Sequence, residues 1–293
     1  MCIRDSTNDI IVRSPSGIVI GNQAVISTTI ATLAEFPDRK LLGEDIIWSG
    51  TPETGMLSSH RILSTATHNG NGIYGTATGK KLHYRIIADC HAFNDQINDE
   101  WLIRDQGAIV KQIGWDPKQF VADLIKREGG PDLCSKPFTE QSNKIGPYDG
   151  KGNDNKWGLM YVEILNDLMT GRMSVINEKY DRAVQSEMPG GITGYGREPI
   201  DKFWMNLRSA FPNAKFKIHH QIGREDNQMP PRAAIRWSLS GKHDGWGAFE
   251  RPTGANIYMM GISHAEFGPW GIRREYTVID ETAIWKQIIL KTG

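Results

Sequence analysis

An ordered series of matching residue pairs, all separated by one interval, constrains this chain more than any other feature. Phe36-Pro37 returns as Phe211-Pro212, Ile47 as Ile222 and Arg61 as Arg236. The turn-forming run from His68 through Gly70 to Gly72 returns at His243, Gly245 and Gly247, and Thr78-Gly79 at Thr253-Gly254. Glu100-Trp101 is answered by Glu275-Tyr276, Asp105 by Asp280, and the stretch Ala108 to Ile113 by Ala283 to Ile288. Every one of these pairs is 175 residues apart. Chance supplies one such pair but not an ordered series, so the chain holds one domain twice. His91 and His264 are 173 residues apart and are expected to be equivalents, with a nearby hairpin of different length in the two copies and the register recovering after it.

Two domains fit comfortably in 293 residues, each with enough chain to bury a core. Hydrophobic content of 39% with 23% charged residues reads as globular rather than disordered. Basic and acidic residues balance at 34 each, so no net field favours nucleic acid or an anionic membrane surface. Three unpatterned cysteines, Cys2, Cys90 and Cys134, argue against a disulfide framework or a zinc site and for a reducing compartment. The first ten residues lack the apolar centre of a signal peptide, and no run approaches the length of a membrane helix. A cytoplasmic protein is expected.

Helices precede strands within each copy. Residues 22–36 carry Val25, Ile26, Ile30, Leu33 and Phe36 at helical spacing, and 157–170 carry Leu159, Val162, Leu165 and Leu168 likewise. Residues 40–49, 57–67, 81–93 and 97–104 are rich in β-branched and aromatic types and are divided by Gly- and Asn-rich turns. That order predicts an α+β domain with helices on one face of a curved sheet. Nothing in the first copy answers the 157–170 helix, so that copy is expected to be N-terminally incomplete and residue 1 not a natural domain start. The expected organisation is a domain over 1–128, a linker over 129–155 rich in turn formers, and a second domain over 156–293.

The second copy resembles the SnoaL-like polyketide cyclases of the NTF2-like superfamily. The residues that carry the likeness are Tyr180-Asp181, Pro189-Gly190-Gly191, Gly196-Arg197-Glu198-Pro199-Ile200 and Leu207 to Pro212. They continue through Arg236 to His243, Pro252-Thr253-Gly254, Gly261-Ile262 and Arg274-Glu275-Tyr276 ahead of Asp280. The first copy shows the same set more weakly, over about 10–113. The resemblance implies two cone-shaped α+β barrels, each a strongly curved, mostly antiparallel sheet around a pocket closed by helices. It implies acid/base chemistry on small apolar ring compounds with neither cofactor nor metal, or simple binding of such compounds. It also implies pairing through sheets, here as an internal pseudo-dimer, with a homodimer as a further option. One departure stands out: the acid/base Asp that these cyclases commonly carry just after the Glu-aromatic pair is replaced by Leu102 and Thr277.

Several residues are candidates for chemistry. His91 and His264 titrate near neutrality, and alternation puts His91 on one face with Asp89 and His264 on one face with Glu266. On the concave face each would be an oriented base; the plainer reading is a structural His bonded across the sheet. Glu100 and Glu275 would become usable acids if buried in an apolar cone. The alternative has them pointing outward to Arg104, Arg273 or Arg274. Arg61 and Arg236 could hold a ligand oxygen in a bidentate pair, or else support a buried salt bridge to Glu100 or Glu275. Trp101 and Tyr276 could line a pocket or simply pack. Asp105 and Asp280 fit as helix N-caps, and His68 and His243 as hairpin residues.

Other site types are excluded by context. Gly70-Asn71-Gly72-Ile73-Tyr74-Gly75 fits a dinucleotide fingerprint but lies between strands. Adjacent His219 and His220 point to opposite faces of a strand and cannot share a metal. Three functions follow: a cofactor-independent cyclase, isomerase, dehydratase or hydrolase; a noncatalytic ligand-binding or assembly protein; or a pair in which one copy is catalytic and the other filled with side chains.

Overall fold

The computed structural model describes residues 5–293, so Cys2 and the very start of the stretch read for a leader lie outside the described residues. Contacts divide the chain into two compact units, one reaching to Asp149 and taking in Asp280–Lys286, the other formed by Gly150–Ile279 and Gln287–Gly293.

The first unit contains β1 (Ser6–Ser14), β2 (Gly17–Ile20), α1 (Asn22–Glu35), β3 (Lys40–Thr51), β4 (Gly55–Thr67), β5 (Lys81–Phe93) and β6 (Gln96–Arg104). The helices α2 (Gln106–Ile113) and α3 (Pro117–Arg127) follow. The second contains α4 (Lys156–Met169), α5 (Val175–Lys179), β7 (Tyr180–Met188), β8 (Ile192–Tyr195) and α6 (Glu198–Ala210). It continues with β9 (Lys215–Arg224), β10 (Arg232–Lys242), β11 (Asn256–Gly268) and β12 (Gly271–Ile279). The last element in the sequence, α7 (Glu281–Thr292), includes residues of both units. The sheets have orders β2-β1-β6-β5-β4-β3 and β8-β7-β12-β11-β10-β9, which are the same topology. Each sheet is open and antiparallel except where β1 meets β6 and β7 meets β12 in parallel. The expected α+β class and the four long strands of the first copy are therefore found.

Local chemistry explains the helix ends. Asp105 accepts from the Ala108 amide at 2.9 Å and so starts α2. Asp280 accepts from the Thr282 and Ala283 amides at the head of α7. In α6, Pro199 sits in the first turn with Glu198 and Asp201, and Arg208 in the last, a charge order that suits the helix dipole. α6 also buries Ile200, Trp204, Leu207 and Ala210. By contrast, α1 buries only Val25 and Glu35, and Ile30 is 59% exposed.

Two expectations need adjusting. The stretch 129–155 forms nothing longer than the single 3-10 turn Glu140–Ser142, yet up to Asp149 it is built into the first unit. Cys134 and Phe138 are buried, and the Phe138 amide donates to the Pro15 carbonyl at 2.9 Å. The second adjustment concerns His91. Both β5–β6 and β11–β12 turn in two residues, Asn94-Asp95 and Pro269-Trp270, with Phe93 opposite Gln96 and Gly268 opposite Gly271. Asn94 and Asp95 both take positive φ, 50° and 60°, as a two-residue hairpin requires. No length difference exists, so the interval of 175 holds throughout. Asp89 faces Trp101 across the ladder, and His264 faces Tyr276. Hence His264 is the counterpart of Asp89, and Glu266 that of His91.

Candidate active site

Strand pairing sorts the candidates onto two faces, because residues directly opposite each other in a ladder project to the same side. In the first unit, Ile62 pairs with Ile86, Ala88 with Leu102 and Ile86 with Arg104. All five line one cavity of about 250 Å³. Glu100, two residues before Leu102, lines it too, and Val12, Val25, Thr28 and Thr29 form part of the remaining wall.

Arg61, Asp89, His91 and Trp101 occupy the alternate positions and face away from this cavity. The expectation that His91 and Asp89 form a dyad on the pocket side is corrected, since alternation gives parity but not which face is covered by helices. His91 is nonetheless ordered: Nδ1 meets Asn98 Oδ1 at 2.7 Å, and the ring lies 4.5 Å from Tyr148. A Cβ on Gly55 would come within 2.3 Å of its Nε2, which accounts for glycine there. Arg61 pairs with Glu44 at 3.3 Å and Asp45 at 3.9 Å, not with Glu100. In the second unit Arg236, His264, Glu266 and Tyr276 hold the equivalent positions, and Glu266 accepts from Arg274 at 3.1 Å. His68 and His243 are buried hairpin residues, their Nδ1 atoms 3.1 and 3.0 Å from Thr78 and Thr253 hydroxyls.

Glu100 is the residue that stands apart. Its side chain is fully buried, and neither carboxyl oxygen has a hydrogen-bond partner. Loss of hydration pushes its pKa up to about 7, so acid and base forms coexist at neutral pH. The surface ion pair expected as its alternative does not form. Arg104, expected to receive that pair outside, instead lines the same cavity.

Glu275 holds the same position with one carboxyl oxygen hydrogen-bonded, while its Oε2 has no partner. Its Oε1 accepts from Tyr161 at 3.1 Å, Trp204 Nε1 at 3.2 Å and Thr277 Oγ1 at 3.3 Å. Thr277 also meets Ser263 Oγ at 2.9 Å, which in turn accepts from Trp237 Nε1 at 3.0 Å. Burial raises the Glu275 pKa while these donors oppose the rise. Counted across the repeat, Trp204 corresponds to Thr29, Trp237 to Ile62, Ser263 to Ala88 and Thr277 to Leu102. All four counterparts line the first unit's cavity. Where the second unit has two indoles and two hydroxyls the first has smaller or apolar groups, and Glu100 has no such donors. Tyr161 comes from α4, and no helix precedes β1 among the described residues. Sequence reasoning passed over Tyr161 and Trp204; their signal was that each apolar helix carries one aromatic polar tip among its buried positions.

Among the described residues no group of three His, Cys, Asp or Glu side chains is placed to hold a metal ion. No helix there is long and apolar enough to cross a membrane.

No family model matches the chain, and no curated protein matches it. Solved structures do. A SnoaL-like polyketide cyclase from Agrobacterium tumefaciens is 19% identical at a TM-score of 0.35, covering 44% of this chain and 94% of its own. A protein from Jannaschia sp. CCS1 assigned as a SnoaL-like polyketide cyclase is 15% identical at 0.39, over 46% and 96%. Another assigned as a polyketide cyclase, from Acidithiobacillus ferrooxidans, is 14% identical at 0.38, over 47% and 97%. Each likeness takes in nearly all of the matched structure and under half of this chain.

Proposed function

We propose that the first unit is an acid/base enzyme of the cofactor-independent, SnoaL-like kind, acting on a small and mostly apolar carbonyl compound. The observation that carries this reading is an unpartnered, buried carboxyl in the wall of a cavity, with Val12, Ala88 and Leu102 also in the lining. A carboxyl with pKa near 7 is matched to the operating pH, so it can take a proton from a carbon next to a carbonyl and return it elsewhere. Leu102 occupies the place of the acid that related cyclases use, and Glu100, two residues earlier on the same face, takes over its task. One carboxyl that both removes and redelivers a proton suits an isomerisation or an enolate-forming step. The second unit, with Glu275 held by three donors, serves as the structural copy.

The test is solvent deuterium exchange into bicyclic ketones such as tetralones, followed by NMR. Catalysed exchange at the carbon next to the carbonyl is expected for the native chain. It should rise with pH through about 7 as Glu100 ionises and fall at least a hundredfold in E100Q, the usual contribution of a positioned base. Equal exchange in both proteins would overturn the assignment. Ketone binding without exchange in either would leave a ligand-binding protein.

A further inference from the structure

We propose that the first unit's cavity recognises a ligand with an anionic end, a flat apolar acid whose carboxylate or enolate oxygens are held by Arg104 together with Arg39. The inference rests on the cavity being a small-molecule site and adds which class of molecule it takes.

Both arginines line the cavity. Arg104 Nε is buried and has no hydrogen-bond partner. A buried donor left without a partner is costly, and the planar fork of the guanidinium suits a two-oxygen anion. Neither charge belongs to the repeated framework: Ile279 stands at the position of Arg104 in the second unit, and Ala214 at that of Arg39. The two cations therefore occur in the copy whose glutamate is free and are missing from the copy whose glutamate is occupied.

Spacing sets the size of the ligand. Glu100 and Arg104 share a face of β6 four residues apart, which is roughly 13 Å along a strand. Leu102 lies between them, with Val12, Val25, Ile62 and Ile86 around it, so the middle of the cavity is apolar. Asp280 is the other acid in the lining, and its Oδ1 is taken by the Thr282 amide, the Thr282 hydroxyl and the Ala283 amide. A molecule of two or three fused rings, anionic at one end and bearing its reactive carbon toward the other, spans the arrangement.

The experiment compares binding of naphthoate and anthracene carboxylate with that of their methyl esters, by calorimetry at pH 7. The acids should bind the native chain at least tenfold more tightly than the esters, the scale of a hydrogen-bonded charge pair. R104Q should erase the preference while leaving ester affinity within about threefold, and R39Q should reduce it. Equal affinity of acid and ester, or an acid preference that survives in R104Q, would overturn the proposal alone. Displacement of the bound ester by V25W, which fills the cavity, shows that the small-molecule reading still stands in that case. If neither acids nor esters bind, both readings fall together.

Discussion

Glu100 and Glu275 occupy the same rung of the same ladder in two sheets of identical strand order, and their surroundings have diverged completely. Around Glu275 a threonine, a tyrosine and two tryptophans, with Ser263, build a network that ends on its Oε1. Around Glu100 the corresponding strand and helix positions are Thr29, Ile62, Ala88 and Leu102, and the space they give up is the cavity. The glutamate shared by both copies therefore does not by itself mark chemistry. Availability is decided by neighbours, whose absence removes volume and hydrogen bonds together, leaving a carboxyl without partners and expensive to ionise.

The largest test of this contrast is W204A. Removing a fully buried indole that donates to Glu275 should destabilise the second unit by about 3–5 kcal/mol in urea titration, whereas T29A at the matching position should cost under about 0.5 kcal/mol. Similar losses at both positions would mean that the first unit is filled after all. Next in size is the pH response of the first unit. Glu100 binds its proton more tightly folded, near 7, than unfolded, near 4.5. Native stability should therefore fall as pH rises from about 4.5 through 7, by on the order of 3 kcal/mol, and level off above. E100Q should remove that share of the pH dependence, and identical profiles for the two proteins would show the carboxyl to be solvated. The smallest effect is expected for Y161F, which deletes one of three donors to Glu275 while keeping the ring. A loss of about 1 kcal/mol on urea unfolding is anticipated, and no loss would show that the network does not depend on that hydroxyl.

Much of the architecture was legible in the sequence because both repeat and strand alternation are local or periodic signals. The segments 40–49, 57–67 and 81–93 are each recovered within a longer or equal strand. β1 was not recognised as a strand: its apolar content is confined to Ile10, Ile11 and Val12, and it is held by a distant parallel partner, β6. His91 and His264 are like residues two positions out of register, and a shift of two leaves alternation untouched. Asp89 with His91, and His264 with Glu266, do share a face. What period-two patterning cannot supply is the side on which the helices lie, and that alone put the histidines behind the sheet and Glu100 in front of it. Arg104 was expected to reach Glu100 from outside, although its spacing of four already placed the two on one side.

The matched hairpins have a consequence for how such a chain can change. Phe93 to Gln96 and Gly268 to Gly271 close their ladders over the same number of residues, so each sheet has in effect a reading frame. Adding one residue to β6 would carry Glu100 out of the cavity and Trp101 into it, inverting every later side chain at once. Divergence between the copies is thereby channelled into substitution at fixed positions. Exchanging β6 for β12 should accordingly transplant the occupants of each rung while leaving the register of the receiving sheet unchanged.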